Sequence, residues 1–565
     1  MSLFASIQNS ANALQVAQTG LNVTGNNIAN ANTPGYIRQE LVQATAFGYR
    51  SGDLILGYGV RAVGVVQKVD EFTNARLRET GSQLASAQAQ TDIYNQIESA
   101  FGELNSSDLS SQLSNFSNSV QDLLNQPGND SLRQLVMERG KTLTSQVREL
   151  SGQLGQLANG LNNEIRSVSQ EINRLTERIA KINIRIVETE GGRTSGSDAV
   201  GLRDERQQML QDLAKLADIR AVEQPNGSVS VYVGGEYLVS EGIQRSVKFS
   251  VDNSGEKPLP EIRLADTDSP LKVTSGRLAG LYAARDGAAG GISQQLDGFA
   301  RTLIEQFNRI HTQGQGLVGF SQTTGSNAAD DTGAPLDLAG LPTKIVNGSF
   351  EIQVLDSSTG QAKTSNIDIH LTGSPTDTTL EDVKNQLNGV SGLSATISSD
   401  GKLKISSTSS KITFAFQNDT AGALTALGIN TFFSGSSAAD IQVNPALLAD
   451  PKLFASSLKG VGGGTDNAVK LAQAFDEPLE ELGGQSIKQN YESMVVSVTQ
   501  QINVQQGTTE GLQNFYKTLE AQSLATSGVN LDEEAVKLIF YQRAFQASSQ
   551  VIKISNEMLD TLVNL

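Results

Sequence analysis

Side chains that could carry out catalysis or bind a metal ion are few in this sequence. There are only two histidines, His311 and His370, and no cysteines, which leaves little material for acid–base or metal chemistry. Asp266 and Asp268 could contribute carboxylates to a Ca²⁺ site, but too few further ligands follow them. No zincin, serine-hydrolase or Walker-type motif occurs, and the glycine run at 462–464 is predicted to be a flexible hinge. The sequence therefore predicts no enzyme, no metal and no cofactor.

The two histidines are more readily explained by structure than by chemistry. His311 is expected to end a helix, where the helix dipole favours its charged form. His370 lies in an alternating, strand-like segment and is expected at the surface. Both predictions give the histidines structural roles, so neither is expected to act as a general base in catalysis.

The overall composition excludes two classes of partner. The chain has 565 residues with 60 acidic and 43 basic side chains, a net charge of −17 and no basic block, so nucleic acid is not an expected partner. No run approaches the ~18 apolar residues that a membrane span needs. The first basic residue is Arg38, so no secretory signal is predicted. We expect a chain that is cytosolic, or exported by a route without a cleaved signal peptide.

The strongest periodic pattern lies in the first 30 residues. Apolar and small side chains recur there at alternating steps of four and three, and every heptad from the seventh residue carries a large aliphatic. This pattern predicts one seam of a coiled coil on a helix over 3–30, ~40 Å long at the standard rise. The predicted seam contains Leu3, Ile7, Ser10, Leu14, Ala17, Leu21, Thr24 and Ile28.

An asparagine-rich turn over 26–36 follows this helix. Pro34 fixes its own φ and Gly35 permits a tight turn, while asparagine tolerates left-handed backbone. A helix stop accounts for Pro34 and Gly35, but it does not account for so many side-chain amides in one place.

A matching seam occupies the last helix of the chain. Phe540, Ala544, Ala547, Val551, Ile554 and Met558 again follow steps of four and three. Asn530 is predicted to cap this helix, with Glu533 at the third helical position and acids in the first turn. Two terminal helices that each carry an unpaired apolar seam are expected to pack on each other. Their outer faces are expected to remain free for neighbouring molecules.

The middle of the chain reads as long helices interrupted by two β-rich segments. The longest run, from Leu143 to Ile186, predicts a helical rod of ~65 Å, which returns near Asp198 to form a helical hairpin over 130–217. Residues 37–70 read as extended. Further helices are predicted near 82–104, 292–312, 379–388, 465–475 and 486–520.

Strand-like alternation indicates the two β-rich segments. The first contains Val229, Val231 and Val233 after a Pro-Asn-Gly turn, and the second has a hairpin signal at Asp400-Gly401. The predicted fold class is an elongated, multidomain α+β protein with a terminal coiled-coil domain, a long inner helical bundle and two inserted β-rich domains. The predicted domains are 1–36 with 528–565, 37–220 with 274–315 and 441–527, 221–273, and 316–440.

Both ends of the chain resemble bacterial flagellar axial proteins. The stretch GLNVTGNNIANANTPGYIRQ, from Gly20 to Gln39, resembles their N-terminal signature. The far end, from Ser527 to Glu534 and through YQRAFQAS to EMLDTL, resembles the matching C-terminal signature. Within the family, Leu202–Arg206 and Phe307–Gly314 are similar to a member at the hook–filament junction. Nothing in 316–440 carries the resemblance.

The resemblance implies a structural subunit of the flagellum that forms the junction between hook and filament. Such a subunit assembles as a ring through its N- and C-terminal helices, outside the cell, after export through the flagellar type III apparatus without a cleaved signal peptide. The implied partners are the hook protein, a second junction protein or filament subunits, further copies of the chain, and a cytosolic export chaperone on the C-terminal helix. Membrane insertion and nucleic-acid binding are not implied.

The seams and the resemblance together predict an assembly interface. We expect the amides of the turn to bond neighbouring subunits and the apolar positions to pack between them. Two alternatives remain open: another axial subunit, of hook or filament type, and a secreted adhesin carried on 316–440. The predicted interface residues are Leu3, Ile7, Leu14, Leu21, Ile28, Asn26, Asn27, Asn30, Asn32, Pro34, Gly35, Tyr36, Phe540, Tyr541, Phe545, Val551, Ile554, Met558 and Leu562.

Overall fold

The structure, a computed structural model, separates into two compact units. It describes residues 3–51, 53–102, 108–252, 259–374 and 376–563. Unit 1 comprises Met1–Asp92, Gly160–Arg285 and Asn503–Leu565, and unit 2 comprises Ile93–Asn159 and Asp286–Ile502. The finer division into four domains stays a prediction. Within the described ranges, no helix is long and apolar enough to cross a membrane.

Thirteen α-helices and eighteen strands are present in the described part of the chain. The helices are α1 (Leu3–Ala29), α2 (Glu71–Phe101), α3 (Leu109–Asn125), α4 (Asp130–Glu190), α5 (Val200–Leu216), α6 (Gly276–Tyr282), α7 (Gly290–His311), α8 (Leu380–Asn388), α9 (Ala423–Leu427), α10 (Pro445–Ala449), α11 (Asp466–Gln473), α12 (Ile487–Ser527) and α13 (Leu531–Val563). The strands are β1 (Gln39–Thr45), β2 (Tyr49–Ser51), β3 (Leu54–Leu56), β4 (Val60–Gln67), β5 (Ile219–Glu223), β6 (Val229–Val233), β7 (Glu236–Ser240), β8 (Ile243–Gln244), β9 (Val247–Asp252), β10 (Leu259–Leu264), β11 (Gln322–Thr324), β12 (Gly348–Asp356), β13 (Gln361–Ile369), β14 (Leu393–Ile397), β15 (Leu403–Ser407), β16 (Ile412–Gln417), β17 (Phe433–Ser434) and β18 (Gln442–Val443).

The predicted mixture of long helices and β-rich segments is confirmed. The helix near 292–312 begins earlier than predicted, because α6 and a π-helical segment, Ala283–Ala289, run directly into α7. Three glycines, at 287, 290 and 291, lower the helix propensity of this stretch. The sequence pattern therefore does not predict a helix there. Similarly, α2 begins at Glu71, ahead of the predicted 82.

In unit 1, α1 packs along α13 and against the hairpin formed by β1 and β4. That hairpin is antiparallel, and its register runs from Gln39 opposite Gln67 to Thr45 opposite Val60. The predicted β insertion forms a four-stranded antiparallel sheet in the order β5-β6-β7-β8, followed by the β9–β10 hairpin. Its buried valines on β6 lie where the alternating pattern placed them.

The last helix packs through a different face from the one its apolar pattern predicted. The side chains of α13 that are buried or half-buried are Glu534, Lys537, Leu538, Tyr541, Ala544, Phe545, Ser548, Ser549, Ile552, Ser555 and Leu559. The predicted seam is instead largely open, with Phe540 65 % and Met558 52 % exposed. The expectation that this seam packs on α1 is therefore wrong. The packed face combines small side chains such as Ser548 and Ser555 with a second apolar row that includes Tyr541, Phe545 and Ile552.

Unit 2 contains two three-stranded antiparallel β-sheets, the short β17–β18 pair and a helical part with an aromatic core. The sheets have the strand orders β13-β12-β16 and β11-β15-β14, and α8 packs against β14. In the helical part, Phe116, Phe307, Phe432, Phe433 and Phe475 are fully buried, with Phe116 and Phe307 5.3 Å apart between ring centroids. Ring pairs of this kind stabilise a core beyond the area they bury.

Candidate assembly site at the joined ends of the chain

Asn27, near the end of α1, is the centre of a buried polar cluster that ties the two ends of the chain together. Its Nδ2 donates to the Gln39 carbonyl oxygen and to Oε2 of Glu534, each at 2.9 Å. Its Oδ1 accepts from the Tyr36 hydroxyl at 2.8 Å and from the Gln39 N–H at 3.0 Å. All four hydrogen-bonding positions of the amide are therefore used within the chain.

Arg38 and Glu534 form a buried ion pair in the same cluster. Nε and Nη2 of Arg38 lie 2.9 and 2.8 Å from Oε1 of Glu534. Burial alone would raise the pKa of Glu534, but hydrogen bonds from Asn27 and Arg38 hold it below its ordinary value. Burial alone would likewise lower the pKa of Arg38, but its bonds to Glu533 and Glu534 raise it. Both groups are therefore charged, and each compensates the buried charge of the other.

The start of α13 is fixed by its cap and by the backbone of Arg38. Oδ1 of Asn530 accepts from the N–H of Asp532 at 3.0 Å and from that of Glu533 at 3.4 Å, so the predicted cap is confirmed. The N–H of Arg38 donates to the carbonyl oxygen of Ser527 at 2.9 Å. Three consecutive acids in the first turn complement the helix dipole, and one of them, Glu534, also enters the ion pair.

The turn that precedes Arg38 depends on Gly35. Its φ is +78°, a left-handed conformation that glycine adopts at little cost, and a Cβ there would lie 3.0 Å from Oε1 of Gln208. Next to it, Tyr36 is half-buried, and burial, with the charges of Asp204 and Glu534, raises its pKa to about 12. The phenol therefore stays protonated and donates its hydrogen bond to Asn27.

α1 and α13 approach most closely at Gly20. A Cβ on Gly20 would lie 2.6 Å from ring atoms of Tyr541, so the ring occupies the space that any larger residue would need. The hydroxyl of Tyr541 accepts from Nε2 of Gln43 at 3.2 Å. Tyr541 therefore contacts both α1 and the β1–β4 hairpin.

A second anchor holds the hairpin on the loop between α4 and α5. A Cβ on Gly64 would lie 1.7 Å from the Gly196 carbonyl oxygen, so the two backbones touch. The N–H of Val65 donates to Oγ of Ser197 at 3.0 Å, and the N–H of Asp198 donates to the Val65 carbonyl oxygen at 2.9 Å. The hairpin is thereby fixed at both of its faces.

The outward face of α13 presents an apolar surface, the open stripe, which consists of Phe540, Val551, Ile554, Met558 and Leu562. All five side chains are exposed, and the last four follow helical steps of three and four along one face. A row of large apolar side chains in solvent is typical of a protein–protein interface. The cluster around Asn27 sets the register in which α13, and therefore this stripe, is held.

Similarity to known proteins agrees with this architecture. The family model described as "Flagellar hook-associated protein FlgK helical domain" matches residues 94–327. "Flagella basal body rod protein" matches 7–36 and "Flagellar basal body rod FlgEFG protein C-terminal" matches 520–565. Flagellar hook-associated protein 1 of Salmonella typhimurium is 24 % identical over 99 % of both chains. The chain is thus similar to flagellar hook-associated protein 1 along its full length.

A further relative and a solved structure are also similar to this chain. Flagellar hook-associated protein 1 of Escherichia coli K12 is 23 % identical over 99 % of this chain and 99 % of its own. A solved structure described as the flagellar hook junction protein FlgK from Burkholderia pseudomallei is matched with a TM-score of 0.49 at 16 % identity, over 80 % of this chain and 100 % of that chain.

Some residues of the predicted interface are buried or half-buried in the structure, and others are exposed. On α1, the predicted seam positions Leu3, Ile7, Leu14, Leu21 and Ile28 are half-buried. In the turn, Asn26, Asn32, Pro34 and Gly35 are exposed, whereas Asn30 is half-buried and donates to the Asn26 carbonyl oxygen at 2.9 Å. Tyr541 and Phe545 are half-buried on the packed face of α13.

Asn27 and Tyr36 differ from what the amide-rich turn suggested. They were predicted to bond neighbouring subunits, but Asn27 is fully buried and its amide is saturated within the chain. The Tyr36 hydroxyl is committed to Asn27. We therefore assign both residues an internal positioning role.

Sequence reasoning missed the ion pair between Arg38 and Glu534. Glu534 was explained by the helix dipole alone, and Arg38 only as part of a family signature. A signal was available, because each residue belongs to one of the two terminal signatures, and opposite charges in two segments expected to meet are candidates for a pair. Analysis of the spacing between apolar residues does not consider such charges.

The residues first considered for chemistry have structural partners. His311 is fully buried, with Nδ1 2.8 Å from the Asn430 carbonyl oxygen and Nε2 accepting from the Ala455 N–H at 3.1 Å. Burial lowers its pKa to about 4, so the predicted charged cap is wrong and the imidazole is neutral. Asp266 pairs with Arg245 at 2.8 Å. Within the described ranges, no group of three or more His, Cys, Asp or Glu could hold a metal ion.

Proposed function

We propose that this chain is a structural subunit of the junction between the flagellar hook and the flagellar filament. The observation that carries the proposal is the similarity to hook-associated protein 1 over 99 % of both chains, combined with helices at both ends that are joined and still expose an apolar row. The full-length match favours this function over a hook or filament subunit, and over an adhesin as the main function.

Assembly is proposed to proceed through the open stripe, the exposed part of the amide-rich turn and the outer side of α1, as a ring of identical subunits. Five large apolar side chains in solvent favour burial against a neighbour. The cluster at Asn27 and Arg38 holds the two helices in one register, so each subunit would present the same surface to the next. A ring needs such a repeated, complementary surface.

The proposed partners follow from the same surfaces. The hook protein lies on one side, and a second junction protein or filament subunits lie on the other, each contacting the terminal helices. Before export, a cytosolic chaperone would cover the apolar row of α13, which is an aggregation risk in a free monomer. Export through the flagellar apparatus without a cleaved signal peptide would place the protein outside the cell, on the flagellum.

The test replaces two members of the open stripe, Val551→Asp with Met558→Asp. Both side chains are exposed in the monomer, so folding and secretion are expected to be unchanged while assembly is lost, because two carboxylates would be buried against a neighbour. The matched control is Gln546→Asp with Gln550→Asp, which adds the same charge at exposed polar positions of the same helix.

Both double variants are expressed in a strain that lacks the chromosomal gene. Filaments are counted by electron microscopy, secreted monomer is measured in the medium, and thermal unfolding of the purified monomer is recorded. Secreted, folded protein without filaments for the stripe variant, with normal filaments for the control, supports the proposal. Normal filaments on the stripe variant would contradict it.

A further inference from the structure

Unit 2 contains a polar groove that the proposed assembly does not use. One part, of about 820 Å³, is lined by residues of β11 and β15 and by the segment after β17. It continues into a second part of about 400 Å³ beside α7 and α9. The residues common to both parts are Ser326, Asn327, Pro342, Ser434, Gly435 and Ser436.

The lining of the groove consists mostly of uncharged hydrogen-bonding groups. The wider part is bordered by Gln322, Thr323, Thr324, Gln442 and Asn444. Two glycines with positive φ, Gly428 at +69° and Gly435 at +101°, let the backbone approach closely, and a Cβ on Gly428 would lie 1.9 Å from Oγ of Ser326. Hydroxyl and amide groups at this density suit a ligand that is itself covered with hydroxyl groups.

Two buried hydroxyls in the narrower part have no hydrogen-bond partner among the described residues. They are Oγ of Ser434, a residue that is 5 % exposed, and Oγ1 of Thr343. Neighbouring Asn308, in contrast, accepts from the N–H groups of Phe432 and Phe433, each at 2.9 Å. Since a buried polar group without a partner costs free energy, the two free hydroxyls indicate that a polar ligand completes this end.

The charged groups of the groove are arranged to receive an anion. Lys404 lies on β15 and Lys402 immediately precedes this strand, and both lysines border the wider part of the groove. Lys402 is 3.3 Å from Asp400, and Lys404 is exposed. The carboxylate of Asp440 accepts from the N–H and the hydroxyl of Ser437, each at 2.7 Å. With two lysines and this one aspartate, the lining of the wider part carries a net positive charge.

We propose that this groove binds an oligosaccharide that carries carboxylate groups. The hydroxyls and amides would bond the sugar hydroxyls, the free Ser434 and Thr343 would bond the unit seated in the narrower part, and the two lysines would bond a carboxylate. The inference is independent of assembly, since no residue of the groove belongs to the terminal helices. It adds a ligand site to a structural subunit.

The test measures binding of a hexameric galacturonate oligosaccharide to the full chain by calorimetry. Its fully methyl-esterified form, which has the same sugar units without charge, is the comparison ligand. Lys402→Gln with Lys404→Gln is expected to weaken binding about tenfold, as loss of bonds to a charged group predicts. Lys363→Gln with Lys411→Gln removes the same charge at exposed positions of the same unit and is expected to change the affinity less than twofold.

A third variant, Ser436→Trp, tests the place of binding without changing charge. Ser436 is exposed where the two parts meet, so a large ring there would block the groove and abolish binding while thermal unfolding stays unchanged. The proposal would be overturned if the full chain did not bind the galacturonate, or bound its ester equally well. It would also be overturned if both lysine pairs weakened binding equally, or if Ser436→Trp bound the galacturonate as tightly as the parent.

Discussion

The two ends of the chain are joined through charged and amide groups, whereas the helical part of unit 2 is held by aromatic rings. Where α1 meets α13, the buried side chains include Asn27, Arg38 and Glu534. In unit 2, Phe116 contacts Phe307 and Phe432 with centroids 5.3 Å apart in each pair. The joint between the chain ends depends on directional bonds between a few polar groups. The helical part of unit 2 depends on close packing among many side chains.

The difference follows from what each region has to do. In the aromatic core the stabilisation is spread over many contacts, none of which dominates. A saturated amide and a buried ion pair are satisfied in one register only, and a shift by one helical residue would leave both charges unpaired. We interpret the polar joint as the means by which two helices from opposite ends of the sequence meet reproducibly, so that each subunit presents the same outer surface.

The aromatic core is expected to show the largest loss on truncation. Phe307→Ala would remove a fully buried ring and lower the free energy of unfolding of unit 2 by about 3–5 kcal/mol. Denaturant titration gives the magnitude, and hydrogen exchange resolved by peptide assigns it to unit 2. Phe47→Ala is the control, since that ring is 82 % exposed; equal losses in both variants would show that the cluster is not a core.

Removing one partner of the ion pair is expected to cost nearly as much, but at the joint alone. Arg38→Met would leave the buried Glu534 with Lys537, 3.3 Å away, as its remaining cation, and we expect a loss of about 3 kcal/mol, visible as fast hydrogen exchange at the start of α13. Replacing both, Arg38→Met with Glu534→Leu, is expected to restore most of the protection, because no buried charge remains. Arg543→Met, at an exposed site on α13, is the control. If the double variant exchanged at the start of α13 as fast as Arg38→Met does, this account would be contradicted.

The two regions are also expected to respond differently to mild acid. Burial lowers the pKa of His311 to about 4 from an ordinary 6.5, so the folded chain keeps it neutral while the unfolded chain takes up a proton. This stabilisation is complete above pH 6.5 and is lost as the pH falls towards 4, by roughly 2 kcal/mol between pH 7 and 5. Glu534, whose pKa is lowered, loses its contribution only as the pH falls below the ordinary range of a carboxyl.

Denaturant titrations at pH 7 and pH 5 test this response. His311→Gln is expected to be less stable at pH 7 and to show a smaller change between the two pH values than the parent. The comparison between variants is needed because burial raises the pKa of Asp419 in the same unit to about 6, which acts in the opposite direction. His370→Gln, at an exposed position, is the matched histidine control. If the free energy of unfolding of His311→Gln changes between pH 7 and pH 5 as much as that of the parent, His311 is not the source.

The smallest effect is expected at the closest approach of α1 and α13. Gly20→Ala would place a methyl group against the Tyr541 ring and destabilise the helix pair by about 1 kcal/mol net, since overpacking outweighs the gain in helix propensity. Gly25→Ala, on the same helix but with nothing within 4 Å of its Cβ, is expected to stabilise α1 by up to about 1 kcal/mol. Hydrogen exchange in α1 distinguishes the two, and changes of the same sign would show that Gly20 is not a packing requirement.

Most of the architecture was accessible from periodicity. The helix over 3–30, the rod that became α4, the β insertion with its buried valines and the cap at Asn530 all agree with the structure. These are local features, in which each side chain's neighbours are set by steps of two, three or four along the chain. The start of α6 was missed, because glycines weaken the same local signal.

Periodicity alone could not choose the face through which α13 packs, because this helix carries two apolar rows with helical spacing. Leu538, Tyr541, Phe545, Ile552 and Leu559 are on the packed face, whereas the predicted seam is largely exposed. An apolar row marks side chains that are suited to burial, either within the chain or against another molecule. It does not say which of two rows meets α1.

The sequence by itself determined that the chain ends in two long helices, that its middle alternates helical rods with β-rich insertions, and that its terminal signatures are flagellar. Only the tertiary structure decided which faces of the terminal helices meet, and that Arg38 and Glu534, 496 residues apart, close the joint. Helices and strands follow from interactions between near neighbours in the chain. The choice between an inner and an outer face depends on steric fit and charge pairing between distant segments, which no local pattern records.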